Sequence, residues 1–127
     1  MKIETISSAQ APKAIGPYSQ AILAGGMLYC SGQLGIDPAS GELAVGVKAQ
    51  AERAILNMKA VLGAAGLGLG DVVKCSLFLA SMADFAVVNE VYAASFSTPF
   101  PARSTIQVAG LPKGGLVEIE CVALAKS

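Results

Sequence analysis

The chain has 127 residues, 54% of them hydrophobic and 14% charged, with nine basic side chains balanced by nine acidic ones. That length suits a single domain, residues 1–127, burying roughly two-thirds of the surface the unfolded chain exposes, and zero net charge excludes the basic footprint of general phosphate-backbone binding, so nucleic acid is not an expected partner. There is no histidine, and Cys30, Cys75 and Cys121 are far apart with no paired motif, which argues against any zinc or other transition-metal site.

An odd number of cysteines, each flanked by strand-like sequence, suits buried free thiols in a reducing compartment. The N-terminus, Met1 to Thr5, lacks the apolar run of a signal peptide, and no stretch is long and apolar enough to span a bilayer. A cytoplasmic protein is therefore expected, although a removed organelle-targeting segment would leave no trace. The apolar share is high and the charged share low for one small core, which points to a buried subunit interface.

Taken in order, Lys2 to Ser7 is β-prone and Ser8 to Pro17 is a loop of small residues and prolines. It ends in Ile15-Gly16-Pro17-Tyr18, where the glycine and proline together set the direction of the tyrosine. Ser19 to Ala24 and Met27 to Ser31 read as strands joined by a hairpin turn at Gly25-Gly26. Ser31-Gly32-Gln33 then leaves the strand with a glycine that lets another group approach the backbone closely.

From Val47 to Ala65 the apolar residues repeat at helical spacing, and Gly66 to Gly70 ends the helix. That glycine run follows a helix and precedes a strand, the reverse of the order a phosphate-binding loop needs. Val72 to Ala80 alternates as a strand, and a second helix capped by Ser81 or Asp84 carries the stripe Phe85, Val88, Tyr92 and Phe96. Asn89 lies among those packing residues.

The strand after Pro99 and Pro101 is the unusual one. The prolines make a stiff lead-in, and alternation then puts Arg103, Thr105 and Gln107 on one face. A guanidinium in a burial-prone strand needs a partner. The last strand, Leu116 to Ala125, carries Glu118 and Glu120 on one face, and at least one of them is expected to meet Arg103. Two carboxylates about 7 Å apart on one strand do not form the facing walls of a glycosidase cleft.

With Ile15-Gly16-Pro17-Tyr18-Ser19-Gln20-Ala21, Ser31-Gly32-Gln33, Val88-Asn89, Phe100-Pro101-Ala102-Arg103 and Val117-Glu118-Ile119-Glu120 in this order, the chain resembles the reactive-intermediate deaminase family (Rid, or YjgF-type) nearly end to end. The resemblance implies a chorismate-mutase-like α+β subunit, a mixed sheet of about six strands with two helices on one face, assembled as a homotrimer with ligand sites at subunit interfaces. It also implies hydrolysis of small 2-imino acids to 2-keto acids and ammonia, with no cofactor. Arg103 would bind the substrate carboxylate, Tyr18 would close over the ligand, and Asn89 would shape and polarise the pocket. Backbone groups near Ser31, Gly32 and Thr105 would hydrogen-bond the ligand, and Glu118, kept ionised by Arg103, would position or activate water.

Several bacterial relatives carry a cysteine where this chain has Thr105. A trimer that captures small carboxylates without turnover is the main alternative. The ribonuclease or translation-inhibitor activity attributed to some relatives is disfavoured by the neutral charge and the missing histidine.

Overall fold

The computed structural model describes residues 2–125. Six strands, β1 (Ile3–Ile6), β2 (Ala21–Ala24), β3 (Met27–Leu34), β4 (Val72–Leu79), β5 (Ala102–Gln107) and β6 (Val117–Leu124), form one sheet in the order β1-β2-β3-β6-β4-β5. Neighbours are antiparallel except β4 and β5, which run parallel, so the sheet is mixed. The helices α1 (Val47–Ala64) and α2 (Phe85–Ser95) complete an α+β fold.

The β2–β3 hairpin turns at Gly25 and Gly26, both at positive φ (58° and 78°). Only glycine enters that region freely at two successive positions, and the resulting turn matches the twist of the strands it joins. Alternation along the strands then sends one set of side chains toward the helices: Leu28 and Cys30 from β3, Cys75, Leu77 and Leu79 from β4, and Val117, Ile119, Cys121 and Ala123 from β6, all buried. They pack against Ala51, Ala54, Ile55, Met58, Val61 and Leu62 of α1 and against Val88, Val91 and Tyr92 of α2. The opposite face of the sheet carries Tyr29, Glu118, Glu120, Ser104 and Ile106.

Polar side chains inside the core are tied to backbone. Asn57, fully buried, donates through Nδ2 to the Leu34 and Ile36 carbonyls at 3.1 and 2.8 Å, and its Oδ1 accepts from Arg53 Nε and Nη2. Gln50 donates to the Ala44 carbonyl and accepts from the Leu116 amide at 2.8 Å. Each bond satisfies a group that burial would otherwise penalise, and together they fix α1 against the ends of β3 and β6.

Two elements differ from the sequence reading. β3 continues to Leu34 instead of ending at Ser31, because a bulge places Ser31 and Gly32 opposite Glu120 and pairing with β6 resumes at Gln33 and Ile119. Neither candidate side chain caps α2 itself: Ser81 accepts from the Ala83 amide at 3.1 Å and so caps the short 3-10 turn Met82–Asp84 that leads into α2, while Asp84, at the N-cap position, makes no side-chain cap bond. Among the described residues, no helix is long and apolar enough to cross a membrane.

Candidate functional site

The bulge in β3 opens a cleft of about 760 Å³ on the sheet face away from the helices. Its walls include Tyr18, Ser31, Gly32, Glu118 and Glu120, with Lys13 and Lys113 also among the lining residues. The loop from Ser7 to Gln20 forms one side. That loop is anchored by Gln20, whose Oε1 accepts from the Ser8 amide at 2.6 Å while Nε2 donates to the Ser8 and Pro12 carbonyls. Ser31 Oγ donates to the Ser19 carbonyl at 2.6 Å, joining the bulge to the same loop. Tyr18, 53% exposed, stands at the rim.

Gly32 is where a group approaches the backbone, and the group is the Glu118 carboxylate. A Cβ at position 32 would lie 2.6 Å from Glu118 Oε2 and 2.8 Å from Cδ, so the carboxylate occupies the volume a side chain would need. Burial raises the Glu118 pKa above the ordinary carboxylate range, and the negative charge of Glu120 raises it further. Within one chain, Arg103 is not among the groups that set this pKa.

Arg103 is elsewhere. β5 pairs in parallel with β4, setting Arg103 beside Cys75, and Cys75 pairs with Cys121 of β6. Ala21, Cys30, Cys121, Cys75 and Arg103 thus form one transverse row across five strands on the helix side. Glu118 and Glu120 pair with Phe78 and Ser76 and so point to the other side. Within one chain the sheet itself separates Arg103 from both glutamates, which overturns the ion pair expected from the sequence.

The Arg103 guanidinium instead lies over aromatic rings of α2, its carbon 4.7 Å from the Tyr92 ring centre and 5.8 Å from that of Phe85. Tyr92 stacks on Phe96 with ring centres 4.3 Å apart. Asn89, exposed, is four residues after Phe85 and three before Tyr92, so it shares their flank of α2. Thr105 follows Arg103 on the same face of β5, with its Oγ1 buried and without a hydrogen-bond partner. The residues singled out from the sequence therefore fall into two groups: Tyr18, Ser31, Gly32 and Glu118 at the cleft, and Arg103, Asn89 and Thr105 at the β5–α2 edge.

Sequence reasoning missed the row of thiols and the aromatic bed beneath Arg103. Both depend on which residues face each other across strands, although the helical spacing of Phe85 and Tyr92 was legible. All three cysteines are free and buried. Burial raises the Cys75 pKa, outweighing the opposing influence of Tyr92 and Arg103.

A sheet of this order with both helices on one side, together with the two residue groups, defines the class. Residues 8–125 match the family described as Endoribonuclease L-PSP, and the chain belongs to that family. It is 53% identical to a 2-iminobutanoate/2-iminopropanoate deaminase of Bos taurus over 120 residues, 94% of this chain and 88% of the bovine one. Among solved structures it superposes on RidA from the Antarctic bacterium Psychrobacter sp. with a TM-score of 0.93 at 53% identity, covering 95% of this chain and 98% of that one. Escherichia coli TdcF with bound serine gives a TM-score of 0.91 at 41% identity, covering 97% and 99%.

Proposed function

We propose that this protein is an enamine/imine deaminase that hydrolyses small 2-imino acids, such as 2-iminopropanoate, to 2-keto acids and ammonia, working as a homotrimer in the cytoplasm. The observation that carries the reading is the 53% identity, over 94% of the chain, to a protein named for this reaction. The separation of the two residue groups supports sites built between copies. A carboxylate-binding arginine and a water-activating carboxylate that one sheet holds apart meet only if a second copy brings its β5–α2 edge to the first copy's cleft.

The chemistry needs no metal or cofactor. Arg103 of one copy takes the substrate carboxylate in a two-pronged, charge-assisted contact. Water, oriented by Glu118 of the other copy, adds to the carbon of the protonated imine, giving one proton to the carboxylate and leaving a neutral carbinolamine. Glu118 returns that proton to nitrogen, the C–N bond breaks as the hydroxyl gives its proton to the carboxylate and becomes the keto oxygen, and the keto acid and ammonia leave. Asn89 and backbone groups near Ser31, Gly32 and Thr105 hold the substrate, and Tyr18 covers it. A carboxyl with a raised pKa suits this two-way proton traffic, because it gives up and regains a proton nearer the working pH. An incoming guanidinium would pull that pKa back down.

An amino-acid oxidase that releases 2-imino acids, coupled to a scavenger, tests the reaction: the protein should speed keto-acid formation, and no acceleration with any small side chain sinks the assignment. A mixture tests the split site. Arg103→Ala and Glu118→Gln, each inactive alone, should regain about a quarter of wild-type activity when unfolded and refolded together, since one interface in four then pairs two intact halves. A site contained in one chain recovers nothing. The serine bound to TdcF keeps a second reading in view, a trimer that captures small carboxylates without turnover. In that case Glu118→Gln would alter neither binding nor the absent turnover.

A further inference from the structure

We propose that Tyr92 is a positioning residue for Arg103, its ring face fixing the plane in which the guanidinium presents its paired N–H groups to a carboxylate. This rests on the reading of Arg103 as the substrate-carboxylate ligand. Two geometric facts support it. The guanidinium carbon lies 4.7 Å from the Tyr92 ring centre, with Phe85 at 5.8 Å on the same helix, so the cation is held against aromatic faces. The Tyr92 ring is itself immobilised: it is buried, stacked on Phe96 at 4.3 Å, and set beside Cys75, the residue in register with Arg103.

The Tyr92 hydroxyl adds nothing to this task. Its buried oxygen meets the Cys75 thiol and not the guanidinium. The ring is the working part. A planar cation on a long side chain has many rotamers, and a stacked ring selects those that keep the fork aimed along the β5 edge. Positioning of this kind acts on carboxylate capture, so its loss appears in KM before kcat.

The test compares Tyr92→Phe, Tyr92→Leu and Phe85→Leu in the oxidase-coupled assay, with assembly state and melting temperature followed in parallel. Tyr92→Phe should keep KM and kcat within about twofold of wild type, while Tyr92→Leu should raise KM about tenfold with kcat within about threefold, as loss of a partly desolvated cation–π pair predicts. Arg103→Gln should weaken equilibrium binding of a 2-keto acid, and adding Tyr92→Leu to it should weaken that binding no further, because Tyr92 acts only through the arginine. Phe85→Leu, at a half-exposed position, should raise KM by about threefold and decides the matter if Tyr92→Leu does not fold.

An unchanged KM in folded Tyr92→Leu, or in Phe85→Leu where that variant must stand in, overturns the inference. So does a Tyr92→Phe defect as large as that of Tyr92→Leu. If Arg103→Gln itself leaves turnover intact, the underlying reading of Arg103 fails instead, and the two failures are distinguishable.

Discussion

Placing a methyl group on residue 32 tests the cleft most directly. The backbone at Gly32 is not in the left-handed region, so alanine fits the local conformation, and the whole effect falls on the Glu118 side chain. The added Cβ would sit 2.6 Å from Oε2, 2.8 Å from Cδ and 3.1 Å from Cγ. Reaching ordinary van der Waals separation requires the carboxylate to retreat by about 0.8 Å. The displaced group is the far end of a flexible side chain, so the structural cost is that of a strained rotamer, about 1 kcal/mol. For a chain of this size that lowers the melting temperature by about 4 °C.

Catalysis is far less tolerant, since a misplacement near 1 Å costs about a hundredfold in rate. Gly32→Ala should therefore remain folded and assembled while kcat/KM in the oxidase-coupled assay falls about 30- to 100-fold. Folded Gly32→Ala with turnover within about twofold of wild type would refute the role given to the Glu118 carboxylate.

Because burial raises the Glu118 pKa in the folded chain, its ionised form opposes folding. Its contribution to stability is fullest below the unfolded pKa and is lost as pH rises through the folded one. Glu118→Gln should abolish turnover, and in the dissociated subunit, where no guanidinium faces the carboxylate, it should raise the melting temperature at pH 7, with the gain shrinking toward pH 4; thermal melts of the dissociated subunit across that range check it. Glu120→Gln removes the second cause of the shift, so the acid limb of the pH–rate profile should move to lower pH. Asn57→Ala strands the Leu34 and Ile36 carbonyls inside the protein and should cost about 3 kcal/mol, seen as a melting temperature lower by about 10 °C. The three buried cysteines should resist a thiol reagent in the native protein and react fully in denaturant.

Much of this molecule was legible in the sequence because periodicity reports which side of an element is buried. The alternation of Cys75 to Leu79, the helical stripe from Ala51 to Leu62 and the paired glycines at the hairpin each name an element and its face, while Val73, expected on the buried face, is exposed because a register shift between Val72 and Lys74 puts Val72 in the core. Residue order also carried the motif set that marks the family. Strand order did not follow from such patterns. Nothing local to Arg103 or Glu118 says that β5 lies parallel to β4 with β6 on β4's far side, or that Arg103 shares a face with Cys75 while Glu118 shares one with Phe78. The expected ion pair failed for that reason, although each residue's own alternation was read correctly. The bulge at Ser31-Gly32 was hidden likewise, since an extra residue is defined only against the strand it faces.

β5 ends the sheet in one chain, and its outward-facing amides and carbonyls from Ala102 to Gln107 have no neighbouring strand. An open margin of this kind invites indiscriminate pairing with other chains. Pro99 and Pro101, lacking amide protons, shorten the available template at its start, but Ile106, half exposed, leaves part of it apolar. If the protein works as the homotrimer proposed above, a subunit set free by dilution would thus shed colloidal stability together with turnover. Variants that weaken assembly should be recognised first by turbidity on warming, before any change in the fold of the individual chain.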